Sequence, residues 1–157
     1  MKFLTKTQVD ELLSVSRQNK KHHLMIRTFL ETGLKVSELV SLQARNILPG
    51  EIRIGSRIIK ISKELSNSLF SLISTKEFCD LVFESHKATR QYTLSTIVHM
   101  INLYALQCES IRKRIGSYAL RNTYISNEVS NKRNRREIAF SLGIQSKSLL
   151  RSCNFLF

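Results

Sequence analysis

Basic side chains are the residues of this sequence best suited to chemistry, because lysine and arginine bind phosphate groups. The chain of 157 residues has 25 lysines and arginines against 12 aspartates and glutamates, a formal net charge of +13. Such an excess repels itself within one small protein, which indicates a polyanionic partner, with nucleic acid as the first interpretation. A basic protein without such a partner, or one that touches anionic lipid, is the alternative.

Two short runs concentrate this charge on either side of the segment around Arg121. We expect them to contact the backbone of duplex DNA, with an affinity that falls steeply with salt and little base specificity. The alternative for both runs is an ordinary solvated face. The first run contains Arg112, Lys113 and Arg114, and the second contains Lys132, Arg133, Arg135 and Arg136.

Cysteines and histidines form no pattern that would bind a metal or make disulfides. Cys79, Cys108 and Cys153 are scattered without a C-x-x-C pair, and the four histidines lack the spacing of metal ligands. No apolar run approaches the roughly 18 residues of a membrane span, and the N-terminus has no apolar signal core. We therefore expect a cytoplasmic protein with no metal, no cofactor and no membrane contact.

Apolar periodicity predicts a mainly α fold with one small antiparallel β-hairpin or sheet. Thr5 and Gln8 predict a capping box at the first helix, and Gly33 and Gly143 predict helix ends. Residues 47–50 are interpreted as a turn, 51–61 as two strands around a turn at 55–56, and 81–83 as a short strand or core plug. Helices are predicted at about 7–17, 22–31, from 36, 64–73, after a cap at 93 or 95, 118–129, 134–142 and 146–153.

Three segments, in chain order, resemble the catalytic domain of the tyrosine recombinase (phage integrase) family. Residues 32–39, TGLKVSEL, resemble the box T-G-L-R-x-S-E-L, with Lys35 where the first catalytic arginine belongs. Residues 119–124, ALRNTY, resemble H-x-L-R-H-T-F, with Arg121 at the second arginine and Tyr118 at the histidine. Residues 142–144, LGI, resemble the L-G-H box, with Ile144 at the second histidine. In the family the nucleophilic tyrosine follows this second histidine by nine residues, and Cys153 stands at the corresponding position here.

The resemblance implies a domain built to cleave DNA by attack of a tyrosine oxygen on a phosphodiester. In such a site two arginines hold the phosphate oxygens with forked donors, and histidines and a hairpin lysine move protons. In this sequence Lys35 lacks the fork, Tyr118 is a poor acid, Ile144 can neither donate nor accept, and the thiol of Cys153 needs activation. Of the family's catalytic residues, only Arg121 is retained unchanged. The implied function is a DNA-binding recombinase-like domain that is catalytically defective and comes from, or regulates, a mobile element.

The same resemblance sets expectations for the rest of the chain. The tight turn at 55–56 leaves no room for a lysine-bearing loop, so Arg57 or Lys60 is expected to lean toward the DNA instead. We expect residues 1–157 to form a single catalytic-like domain, without the family's N-terminal core-binding domain and without its terminal helix. Expected partners are duplex DNA and other recombinase protomers, at the nucleoid.

Two other functions fit the sequence. One is an active recombinase with a rewired site, in which Lys35 and Arg121 hold the phosphate and Cys153 or Tyr118 is the nucleophile. The other is a basic helical module that binds RNA or protein. At the level of single residues, Lys35 could be a solvated helix start, Arg121 a structural partner of Glu38, and Cys153 part of the core.

Overall fold

The computed structural model describes residues 3–85 and 90–145 of the chain. Within these ranges the fold is mainly helical with two small antiparallel sheets, which confirms the predicted fold class. The predicted final helix at 146–153, and Cys153 with it, lies outside the described residues. The helices are α1 Lys6–Ser16, α2 Lys20–Thr32, α3 Val36–Val40, α4 Lys63–Ile73, α5 Leu94–Gln107, α6 Ser117–Ser130 and α7 Arg135–Leu142, with a 3₁₀ turn at Ala44–Asn46.

Side-chain caps fix where the first two helices begin. Thr5 Oγ1 accepts from the backbone N–H of Gln8 at 3.4 Å, and Gln8 Oε1 accepts from the N–H of Thr5 at 3.0 Å, so the predicted capping box is present. Helix α2 begins two residues earlier than predicted. The side chain of Asn19 accepts from the N–H of His22 at 3.1 Å, and this cap includes Lys20 in the helix.

The hairpin belongs to a three-stranded meander of β1 Ile47–Leu48, β2 Glu51–Ile54 and β3 Arg57–Lys60. Residues 47–48, predicted as part of a turn, pair with β2, so that only Pro49 and Gly50 remain to make the turn. Ile52 pairs with Ile59, and both are fully buried on the face toward the helices. The hairpin was predicted from two β-branched stretches around a turn at 55–56, but a strand of two residues is too short to show such a pattern.

A second sheet, which the sequence did not predict, follows the predicted core plug. Val82 and Phe83 are buried, in agreement with a plug, and the next two residues form β4 Glu84–Ser85. This strand pairs antiparallel with β5 Arg90–Gln91. Charged and polar residues give such short strands no apolar pattern that could be recognised.

Helix α2 lies at the centre of the fold and packs against α1, α4 and α6. Helix α5 turns an apolar stripe toward the same core, with Ile97, Met100, Ile101 and Tyr104 all buried. A smaller apolar cluster joins α6 to α7 through Tyr124 and Leu142 among others. This packing brings the C-terminal ends of α2 and α7 and the first turns of α3 and α6 to one side of the domain.

Candidate DNA-binding site

One open cavity of about 390 Å³ lies where these four helix ends meet. Four of the residues singled out by the sequence motifs line it, although they are far apart in the chain. The remaining lining residues are apolar or small. The cavity is lined by Lys35, Tyr118, Arg121 and Ile144, together with Leu34, Val36, Ser117 and Ile125.

Arg121 bridges the C-terminal ends of two helices beneath this cavity. Its side chain is buried, with 8% of the residue exposed. Nη1 donates to the carbonyl oxygen of Gly33, which follows α2, and Nη2 donates to that of Leu142, the last residue of α7, at 3.0 Å. A helix C-terminus carries unpaired carbonyls and partial negative charge, so a guanidinium stabilises both ends at once. Two of its donors are therefore committed to the backbone.

Left-handed glycines end both of these helices close to the cavity. Gly33 has φ +62°, and a Cβ there would lie 2.4 Å from Tyr124 Cδ1 and 2.8 Å from Leu142 Cδ2. Gly143 has φ +64°, and the N–H of Ile144 donates to the carbonyl of Ala139 at 3.0 Å, which closes a Schellman motif. This turn directs the chain back so that Ile144 reaches the cavity.

Lys35 and Tyr118 occupy the rim. Lys35 is exposed immediately before α3, and its backbone N–H donates to Glu38 Oε2 at 2.8 Å, so the helix start is fixed while the ammonium stays in solvent. Tyr118, in the first turn of α6, is 59% exposed. The rim thus offers one point charge and one phenol, and the lining at Ile144 is apolar.

The two hairpin residues expected to lean toward DNA lie in different surroundings. Arg57 is half-buried and forms an ion pair with Glu38, and its Nη1 donates to the carbonyl of Ser141 at 2.9 Å. Glu38, which the sequence offered as a partner for Arg121, is thus paired with Arg57. Lys60 is exposed at the far end of β3.

The basic run at 112–114 is exposed on a loop that the rest of the fold holds in place. Glu11 accepts from the backbone N–H groups of Glu109 and Ser110 at 2.6 and 3.0 Å. Asn102 Oδ1 accepts from the N–H of Ile115 at 2.7 Å at the other end of the loop. The hydrogen bonds from Ser110, with its side chain first, lower the pKa of the Glu11 carboxyl.

The four basic residues of the second run differ in exposure and in their contacts. Lys132, Arg135 and Arg136 are exposed. Arg133 is instead half-buried between α6 and α7, with Nη1 paired to Glu128 and 3.2 Å from the Tyr124 hydroxyl, and Nε 3.5 Å from Glu137.

Residues 3–85 and 90–145 contain no group of three or more histidine, cysteine, aspartate or glutamate side chains arranged to hold a metal ion. No helix among these residues is long and apolar enough to cross a membrane.

The fold and the cavity define a class of protein, in which helix ends bring a lysine and an arginine from separate motifs to one basic cleft beside a small sheet. The model of the phage integrase family matches residues 2–152, and the chain belongs to that family. It is 27% identical over 151 residues to a tyrosine recombinase of Pseudothermotoga lettingae, and 28% identical over 160 residues to the tyrosine recombinase XerD of Haemophilus influenzae. The predicted resemblance is confirmed.

Solved structures give the same fold. The crystal structure of XerA recombinase matches with a TM-score of 0.84 at 22% identity, over 96% of this chain and 57% of that one. The catalytic domain of bacteriophage HP1 integrase matches with a TM-score of 0.67 at 22% identity, over 99% of this chain and 88% of that one. Identities this low show the fold alone.

The alignments also show how much of each relative is represented. They cover 90% of this chain but 51% of the Pseudothermotoga protein and 54% of the Haemophilus protein. The chain therefore spans about half the length of these recombinases.

Several groups at the site carry no recognisable signal in the sequence. The carbonyl oxygens of Gly33 and Leu142 bind Arg121, but every residue has such an oxygen, so the residue type does not identify it as an acceptor. The pair of Glu38 and Arg57 joins residues on separate elements. The useful signal was a glycine after each apolar helix, since it predicted the turns that place both carbonyls.

Proposed function

We propose that this domain binds duplex DNA across the cavity of Lys35 and Arg121, and that it does so without forming a covalent link to the DNA. The observation that carries the proposal is the convergence of Lys35, Tyr118, Arg121 and Ile144 on one cavity. In the family, these positions surround a phosphate. The related folds include the Tn1549 transposon integrase in complex with circular intermediate DNA, with a TM-score of 0.78, and XerH recombinase bound to difH substrate, with a TM-score of 0.77.

The side chains at the cavity support binding better than cleavage. A lysine holds a phosphate as a point charge and gives no bidentate fork at the first arginine position. Ile144 offers no proton, and two donors of Arg121 are already bound to carbonyl oxygens. In sites of this kind, each lost donor to the transition state costs about two to three orders of magnitude in rate. A domain with several such losses still binds the phosphate backbone through its charge.

The family and the charge support a wider setting for the proposal. We place the domain in the cytoplasm at the nucleoid, as a product or regulator of a mobile element. Other recombinase protomers are the expected protein partners, and no cofactor is required because side chains alone would contact the phosphate.

DNA binding is tested by the salt dependence of the affinity for a fluorescent duplex. We expect log Kd to rise linearly with log salt, and Lys35→Ala to reduce the slope by about 0.9, the value for one lost phosphate contact. Lys20→Ala is the matched control, since Lys20 lies at the opposite end of α2, about 20 Å from Gly33. Salt-independent binding, or equal slopes for both variants, contradicts the proposal.

A second experiment addresses cleavage, because Tyr118 is an exposed phenol beside Arg121 and keeps a rewired active site as the second candidate function. A nicked suicide duplex traps any covalent intermediate for detection on a denaturing gel. We expect no adduct. An adduct that is lost in Tyr118→Phe or Cys153→Ser establishes the rewired enzyme and removes the proposal of a binding domain.

A further inference from the structure

Arg57 connects the hairpin to two segments that line the cavity, the one at Lys35 and the one at Ile144, although it does not line the cavity itself. Its side chain is 12% exposed, and that of its partner Glu38 is 19% exposed. A guanidinium has donors in a fixed planar fork, so two acceptors on different elements are held at a set separation. Here the acceptors are the carboxylate of Glu38 on α3 and the carbonyl of Ser141 on α7.

The first connection ends at Lys35. Glu38 Oε1 accepts from Arg57, and Glu38 Oε2 accepts from the backbone N–H of Lys35 at 2.8 Å. One carboxylate therefore links the guanidinium to the residue that precedes α3. Any shift of Arg57 is passed to the backbone that carries the Lys35 side chain at the rim.

The second connection ends at Ile144. Ser141 is followed by Leu142, whose carbonyl binds Arg121, and then by the left-handed turn that carries Ile144 into the cavity. A Cβ at Gly143 would lie 2.9 Å from Arg57 Cζ and 3.0 Å from Nε and Nη1. The guanidinium thus lies directly against the peptide of Gly143, and only glycine allows this approach.

We propose that Arg57 is a positioning residue that sets the spacing between the Lys35 wall and the Ile144 wall of the cavity, and that it is not itself a phosphate ligand. The proposal concerns the same site as the proposed function, and its DNA readout rests on that function. Its guanidinium donates to two groups of the protein, the carboxylate of Glu38 and the carbonyl of Ser141, and its charge is offset by Glu38. Its substitution alters the geometry of the cavity and leaves the number of phosphate contacts unchanged.

The first readout needs no DNA. Amide hydrogen exchange followed by mass spectrometry reports on the N–H groups of Lys35, bonded to Glu38, and Ile144, bonded to Ala139. In Arg57→Ala we expect both segments, 35–38 and 141–144, to exchange about tenfold faster, with α1 and α5 unchanged. Uniformly faster exchange, or no change in either segment, overturns the proposal. This outcome can be judged even if the protein binds no DNA.

The second readout separates positioning from direct contact. Arg57→Ala should weaken DNA binding about tenfold while the salt slope stays at the wild-type value. Lys35→Ala, the matched contact variant, should reduce the slope by about 0.9. If Arg57→Ala reduces the slope as much as Lys35→Ala, then Arg57 is a phosphate ligand and the proposal fails. Arg57→Lys keeps the charge but not the fork, and should also lose affinity.

The third readout uses the close contact at Gly143. Gly143→Ala should displace the Arg57 guanidinium and reproduce the faster exchange at 35–38. That segment is distant from Gly143 in the sequence, so the effect would have to pass through Arg57. Adding it to Arg57→Ala should cause little further change at 35–38, because the two substitutions act through one contact. Additive effects at 35–38 contradict the proposal.

Discussion

Arg121 and Leu142 are joined by a hydrogen bond of 3.0 Å from Nη2 to the carbonyl oxygen that ends α7, and Nη1 of the same side chain binds the carbonyl of Gly33. The guanidinium that the family places at a phosphate therefore also holds two helix ends together beneath the cavity. Under the proposed function, stability and DNA binding depend on the same side chain, and experiments on Arg121 must measure both.

The first prediction concerns the stability of Arg121→Ala. Removal of the guanidinium leaves the carbonyls of Gly33 and Leu142 buried without their donor. Each unsatisfied group costs about 1–3 kcal/mol of stability. We expect the free energy of unfolding to fall by at least about 2 kcal/mol, measured by urea denaturation. Lys35→Ala removes an exposed side chain from the same cavity and should change stability by no more than about 0.5 kcal/mol. Equal effects of the two substitutions would mean that the carbonyl contacts contribute nothing.

The second prediction compares Gly33→Ala with Gly55→Ala. Both positions have a left-handed backbone, with φ +62° and +57°, so each substitution carries a similar strain of about 1–2 kcal/mol. A Cβ at Gly33 would also meet Tyr124 Cδ1 at 2.4 Å, whereas a Cβ at Gly55 meets nothing within 4 Å. We expect Gly33→Ala to cost about 1–3 kcal/mol more in urea denaturation, the usual range for overpacking. Equal costs would show that Tyr124 moves aside freely.

The fold was predictable from the sequence wherever an element was long enough to show a period. In α5, for example, Ile97, Met100, Ile101 and Tyr104 repeat at helical spacing over about two turns, and all four are buried. The strands of two residues at 47–48, 84–85 and 90–91 lack that length, and only pairing with neighbours defines them. Short strands are therefore a product of tertiary structure that local sequence does not encode.

The candidate site was predictable as a set of positions but not as a set of contacts. Motif spacing selected Lys35, Tyr118, Arg121 and Ile144, and these four residues share one cavity. The sequence could not show that Arg57 turns inward to Glu38, since both an outward and an inward arginine fit the same hairpin pattern. Which charges face solvent is decided by acceptors on other elements, often main-chain ones.

The third prediction is a loss of stability at mildly acidic pH caused by His23. Burial is the main cause that lowers the pKa of His23 from its ordinary value of 6.5. The hydrogen bond to the Leu13 carbonyl opposes this by raising the pKa, whereas the charges of Arg27 and Arg17 lower it further. The unfolded chain then binds a proton at a higher pH than the folded one. The contribution of neutral His23 to the free energy of unfolding is fully present above pH 6.5 and is lost as the pH falls below it.

This pH dependence is measured by urea denaturation at a series of pH values from neutral to mildly acidic. In His23→Gln the loss of stability on acidification should be smaller than in the wild type. His99→Gln, on the exposed side of α5, controls for the removal of an imidazole. A wild-type profile that His23→Gln leaves unchanged would assign the effect to other groups.

The last prediction separates two arginines of one basic run by their effect on DNA binding. Arg136 is exposed in the first turn of α7, whereas Arg133 is paired with Glu128 and contacts the Tyr124 hydroxyl. Arg136→Gln should reduce the salt slope of binding by about 0.9 with little change in stability. Arg133→Gln should leave the slope near the wild-type value and lower the free energy of unfolding by about 1 kcal/mol. If Arg133→Gln flattens the slope as much as Arg136→Gln does, the pair with Glu128 opens on DNA and Arg133 is a phosphate contact.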